Sequence, residues 1–144
     1  MTYKVSFSNS SIKEANVVLF GVPDQSGCKY AKRQGTKYGP NAFRKATYLI
    51  DLNDPYAKNK KLKIADYKNI RKDMVEDTVR KFISQNKLPV IIGGDHSITY
   101  HSIKGISKEV DELSIIYLGA HYDTVKSIKN YHGSVLYEIS KLKM

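Results

Sequence analysis

With a single cysteine, Cys28, the chain can form no intrachain disulfide and no cysteine-based zinc site. Also missing is any apolar stretch of the roughly 20 residues that a membrane-spanning helix needs. The first residues, Met1 to Asn16, hold no apolar segment of the kind a secretory signal carries. A cytoplasmic chain with no membrane partner is the expectation. There is no internal repeat, low-complexity segment or interdomain linker, so the 144 residues are expected to form one domain, 1–144.

Acidic residues are scarce beside basic ones, 14 against 24, which leaves a formal net charge of +10. A basic surface attracts phosphates through counterion release. Here, however, the lysines are spread along the chain. The densest stretch, Lys58, Lys60, Lys61 and Lys63, sits in a polar connection after Asp54-Pro55 and has no interleaved aromatics on which bases would stack. A solvated lysine-rich surface is expected, and no nucleic-acid partner.

What the sequence does contain is an alternation of short apolar runs and helical patterns. Asn16 to Phe20 is apolar after its first residue and stops at Gly21 and Pro23; Leu88 to Ile92 stops at Gly93-Gly94; Leu113 to Leu118 stops at Gly119. Each run reads as a buried strand entering a loop. Between them, Ile70, Met74, Val75, Val79, Phe82 and Ile83 recur at helical spacing and predict a helix of about four turns. A second helix is predicted after Asp95, through Ile98, His101, Ile106 and Val110. A third opens at Gly39-Pro40 and contains Phe43 and Leu49. Strands apolar on both faces, alternating with helices, give an α/β fold: a three-layer αβα arrangement around a mostly parallel sheet.

In such sheets ligands bind beyond the carboxyl ends of the strands, and three of the four histidines lie there. Gly93-Gly94-Asp95-His96-Ser97 follows the second run. Gly119-Ala120-His121-Tyr122-Asp123 follows the third, with His121 and Asp123 expected on one face of an extended chain. Asn130-Tyr131-His132-Gly133-Ser134 comes soon after. Imidazole with carboxylate suits a divalent transition ion. Taken singly, each element has a plainer reading. His-x-Asp describes a hydrogen-bonded pair, Gly-Gly-Asp-His a helix N-cap, and His132 a surface loop residue.

Taken together and in order, these elements resemble the signatures of the ureohydrolase family, the arginases and agmatinases. Gly93 to Ser97 matches its Gly-Gly-Asp-His-Ser, and Ala120 to Asp123 matches the last four residues of its Asp-Ala-His-x-Asp. His132-Gly133 matches its His-Gly element. Gly21-Val22-Pro23, Gly39-Pro40 and Arg44 are similar to its N-terminal pattern, and the short interval from Asp123 to His132 is closer to agmatinases. The resemblance implies two manganese ions bridged by a hydroxide that attacks a guanidino carbon, yielding urea and an amine. It implies metal ligation by His96, His121 and Asp123, proton transfer or substrate contact by His132, and an orienting role for Asp95.

Two departures bear on activity. Gly119 stands where the family has an aspartate bridging both ions, and the later carboxylate-rich motif is expected beyond Met144. Three of six metal ligands would be absent, so four positive charges would face one carboxylate. The expectation is at most one weakly bound manganese ion and no activity from this chain alone. The arginase-like domain would be incomplete, with an open sheet edge. It would then self-associate or pair with a complementary C-terminal half. A guanidino-type small molecule would be the substrate of an active form; a noncatalytic interaction protein is the competing expectation.

Overall fold

The computed structural model describes residues 3–32, 34–49, 62–126 and 130–143. Lys58, Lys60 and Lys61 of the lysine-rich connection lie outside them. Three parallel strands form the sheet: β1 (Val17–Val22), β2 (Ile64–Asn69) and β3 (Leu88–Gly93), in the order β2-β1-β3. Every residue of β1 is buried, because it has a strand on each edge and helices over both faces. That environment is what a run apolar at consecutive positions requires. Its pairing with β3 runs in unbroken register from Val17 opposite Leu88 to Val22 opposite Gly93, which brings the loops after the two strands level with each other.

Among the described residues four α-helices accompany the sheet: α1 (Gly39–Ala46), α2 (Val75–Ser84), α3 (Ile98–Ile106) and α4 (Val135–Ile139). Val18, Phe20 and Val22 of β1 join Val75, Val79, Phe82 and Ile98 in one core. The Phe20 and Phe82 rings lie 6.3 Å apart, and Tyr67 meets Phe82 edge-on at 5.2 Å. Two helices can cross closely there because Gly105 has no side chain; a Cβ at that position would stand 2.6 Å from the Glu76 carbonyl. On the other face, Gly21 lies against α1, where a Cβ would come within 2.6 Å of the Pro40 ring. The result is the three-layer αβα fold with a parallel sheet.

Beneath α1 sits a buried ion pair. Arg44 Nε donates to Asp66 Oδ2 at 2.8 Å and Nη2 donates to Oδ1 at 2.8 Å. The backbone N–H groups of Val5 and Lys68 also donate to this carboxylate, at 2.9 and 2.8 Å. Burial alone would raise the Asp66 carboxyl, but these donors and the Arg44 charge outweigh it and hold the group below the usual aspartate range. The arginine of the N-terminal pattern is therefore locked inside the molecule.

Several expectations need correction. Leu113 to Leu118 joins no sheet: Ile116 is 87% exposed and Leu118 91% exposed. Strand hydrogen bonds come only from neighbouring strands, and among the described residues no strand pairs with this run. β2 was not anticipated, since Asp66, Lys68 and Asn69 hide it. The helix through His101 ends at Ile106 and does not reach Val110. The one containing Phe82 begins after a single tight turn at Lys72–Met74, and Ile70 lies outside it. Leu49 lies in a short 3-10 turn after α1 and is exposed.

Candidate functional site

The loop after β1 and the turn after β3 are joined at the sheet's carboxyl edge. Gly94 N–H donates to Val22 O at 3.0 Å, and Asp95 N–H donates to Asp24 O at 3.0 Å. The approach is so close that a Cβ on Gly94 would lie 1.9 Å from Asp24 O, which explains glycine at this position. Asp95 is buried and accepts from the N–H of Gly27 at 2.7 Å, from the N–H of Ser97 at 2.8 Å and from the Ser97 hydroxyl. It braces the turn that leads into α3 and anchors the Gly27 loop. The backbone on both sides of His96 is fixed by this one carboxylate.

His96 itself is 30% exposed, and its Nδ1 lies 2.7 Å from Asp123 Oδ2. Two residues expected to act together, contributed by loops 27 positions apart, thus meet. His121 does not join them. It is exposed, and its imidazole makes no hydrogen bond among the described residues. Asp123 adopts a left-handed backbone, φ 47°, where the expectation of a common face with His121 assumed an extended chain. Tyr117 takes up the space instead. Its ring stacks on His96 at 5.5 Å, and its hydroxyl, with one proton to give, lies 2.8 Å from Asp123 Oδ2 and 2.9 Å from the His121 carbonyl. The hydrogen bond to Asp123 pushes the tyrosine hydroxyl's pKa up.

His132 hangs from the β1 loop. Its backbone N–H donates to Gly27 O at 3.2 Å, and its Nδ1 lies 2.8 Å from the same carbonyl. A carbonyl only accepts, so Nδ1 carries the proton and the lone pair of the neutral ring sits on Nε2. The ring is half-buried and lies 4.6 Å from that of Tyr131. A cavity of about 220 Å³ opens nearby between α3 and α4, lined by Tyr100, His101, Tyr131 and Glu138 among others. Burial, followed by the nearby Lys72 charge, lowers the pKa of His101 and favours its neutral form.

A two-metal centre needs several donors converging on each ion. Among the described residues no three histidine, cysteine or acidic side chains stand close enough to hold an ion. Asp123 Oδ2 is shared by His96 and Tyr117, His121 is turned out to solvent, and Gly119 offers no donor. As arranged, these residues do not fit two divalent ions.

Two groups at this edge escaped sequence reasoning. Tyr117 reads as one more apolar position in a strand. Lys72 reads as a solvated charge beside the apolar stripe of α2, yet its Nζ touches three loops: Asp24 Oδ1 at 3.3 Å, Ser26 Oγ at 3.1 Å, Ser97 Oγ at 2.5 Å, and Asn130 Oδ1. No spacing rule marks it; a lysine just after a strand's carboxyl end is the one signal available.

Comparison with known proteins bears on what this edge is for. The model of the arginase family matches residues 15–144. An agmatinase of Bacillus cereus is 29% identical over 140 residues, covering 90% of this chain and 47% of the relative. The crystal structure of an agmatine ureohydrolase of Thermoplasma volcanium superposes with a TM-score of 0.79 at 26% identity, over 94% of this chain and 49% of the other. A formiminoglutamase of Trypanosoma cruzi solved with Mn2+ shares the fold, with a TM-score of 0.81 at 20% identity over 94% of this chain and 51% of the other. The chain spans about half the length of the relatives it matches.

Proposed function

Because the chain belongs to the arginase family, we propose that it forms part of a ureohydrolase that splits a guanidino C–N bond into urea and an amine, with agmatine-like guanidines as substrate. The observation that carries this reading is the meeting of His96 with Asp123, alongside His132 on the Gly27 carbonyl, at one edge of the sheet. His132 is the proton carrier: its Nδ1–H is given to the backbone, and Nε2 remains the basic nitrogen for a proton taken from water or passed to the leaving amine. Asp95 keeps the His96 turn and the Gly27 loop in register, and so holds both histidine-bearing segments in place. Manganese is the family's metal; in this chain His96 and Asp123 would be its donors, for one ion at most, and only together with carboxylates that this chain does not contribute. A bound ion would supply a polarised water.

Residues 1–144 constitute an incomplete arginase-like domain in this reading, working in the cytoplasm, and catalysis needs more carboxylates than this chain contributes. They come from a complementary C-terminal half seated against the free edge of β3 and the exposed Ile116 and Leu118. The test is urea release from agmatine, arginine and guanidinobutyrate with manganese present. The chain alone is expected to give none, and the chain mixed with the C-terminal half of an agmatinase to give measurable urea once Gly119→Asp is introduced. Urea from the unmodified chain alone refutes the incompleteness; no urea from any combination refutes the ureohydrolase reading.

A noncatalytic interaction protein is the second reading, favoured by one observation: the apolar Ile116 and Leu118 side chains are almost wholly exposed. It predicts no manganese-dependent rise in Tm, whereas a ligated ion stabilises by mass action.

A further inference from the structure

Lys72 is not claimed by any motif, yet its ammonium meets four side-chain oxygen atoms at the carboxyl edge of the sheet. Its side chain is 12% exposed. Four side-chain oxygens surround the ammonium: those of Asp24 and Ser26 from the loop after β1, Ser97 from the turn after β3, and Asn130 from the segment leading to His132. An ammonium has three protons, so four acceptors saturate it, and it holds the loops as a small cation would. The acceptors are themselves tied together. Asn130 Nδ2 donates to Ser26 Oγ at 3.1 Å, and Ser97 bonds to Asp95, which holds Gly27, which in turn receives both hydrogen bonds of His132.

Asp24 confirms the coupling. Burial would raise its carboxyl, but the Ser26 hydrogen bonds and then Lys72 outweigh it, so the carboxylate stays charged below its usual range. A solvated surface lysine would leave these loops independent of one another. Here the removal of one ammonium would leave Ser97 Oγ and Asn130 Oδ1 without a donor and the charged Asp24 carboxylate with only its hydrogen bonds from Ser26.

We propose that Lys72 is the positioning residue of the site: its ammonium sets where His132 stands relative to His96 by cross-linking the three loops that carry or support them. This rests on the proposed hydrolytic role of His132 only for its consequence in catalysis. The geometric claim stands apart and is tested apart.

The experiment uses the full chain with isotope-labelled histidine and arginine and compares wild type with Lys72→Met, Lys72→Arg and Lys72→Ala. His132→Asn assigns the His132 ring signal. The expected result for Lys72→Met is a shifted or broadened His132 ring resonance, while the hydrogen-bonded Arg44 Nε–H signal, on the far face of the sheet, is unchanged. Lys72→Arg should restore the signal in part, and added ethylammonium should sharpen it in Lys72→Ala by filling the vacated cage. An unmoved His132 signal in a folded Lys72→Met overturns the proposal. If Lys72→Met does not fold, Asp24→Asn, which keeps the shape and removes the charge holding the ammonium, is expected to move the same signal to a smaller degree; no movement there also overturns it. In the completed enzyme, Lys72→Met should lower kcat by 10-fold or more with little change in KM, and absence of urea in wild type would count against the hydrolase reading only.

Discussion

The turn after β3 and the stretch from Leu113 to Asp123 each carry a signature of the family, but they are held in opposite ways. Around Gly94 and Asp95 the backbone packs so closely that a single added carbon has nowhere to go, and each oxygen of the buried carboxylate has a donor. From Leu113 to Asp123 the chain has apolar side chains in solvent and, among the described residues, no strand partner; it is tied down by the Tyr117 ring over His96 and, at its far end, by the Asp123 carboxylate on His96 and the Asp123 carbonyl, which accepts from the Leu136 N–H. A ligand on the first segment is placed by packing that the chain itself supplies. A ligand on the second depends on whatever lies beside it. His96 and His121 differ in placement for that reason, although both read equally well as motif residues.

Four measurements sharpen this contrast, beginning with the largest effect. Arg44→Met leaves the Asp66 carboxylate buried and unpaired and should cost about 3–5 kcal/mol in denaturant unfolding; a loss below about 1 kcal/mol would show that the pair is not sealed. Gly94→Ala should cost about 3 kcal/mol because its methyl group would overlap the Asp24 carbonyl. Gly119→Asp, by contrast, should leave Tm almost unchanged, since the new Cβ meets only the movable end of Tyr117. It should also tighten manganese binding several-fold by displacing that ring, as read by electron paramagnetic resonance of free Mn2+. Equal destabilisation by the two glycine substitutions would erase the contrast.

Acid unfolding comes third. The Asp66 carboxyl is held below its unfolded value of about 3.9, so its contribution is fully present above that pH. It is lost as pH falls through the lower folded value. Asp66→Asn should therefore be less stable at pH 7, and the difference from wild type should shrink below about pH 4; a constant difference would contradict the assignment. Ile116→Ser, the smallest effect, should change stability by no more than about 0.5 kcal/mol. A larger loss would mean that the run is packed in solution.

Much of this organisation was legible from the residues, for identifiable reasons. β1 and β3 announce themselves because burial on both faces demands uninterrupted apolar residues. The turn at Gly93 to Ser97 is legible because close backbone contact leaves glycine as the option. β2 was hidden since it spends Asp66 and Asn69 on Arg44, and a buried ion pair looks like surface when only one partner is read at a time. Leu113 to Leu118 misled in the other direction: an apolar run records suitability for a sheet but not the presence of a neighbour. Alternation predicted a common face for His121 and Asp123, but it assumes an extended chain, and Asp123 is left-handed. Lys72 had no legible signal because its role comes from three loops that only the folded topology brings together.

The strand order has a consequence for how the molecule is made. β1, the first of these three strands to leave the ribosome, is the middle one, so both of its edges stay unsatisfied until β2 and then β3 have been synthesised. Such late-closing pairings slow folding and leave an apolar ribbon open to wrong partners during synthesis. The nascent chain is therefore most vulnerable before Leu88 emerges, and chaperone dependence should fall once β3 is in place.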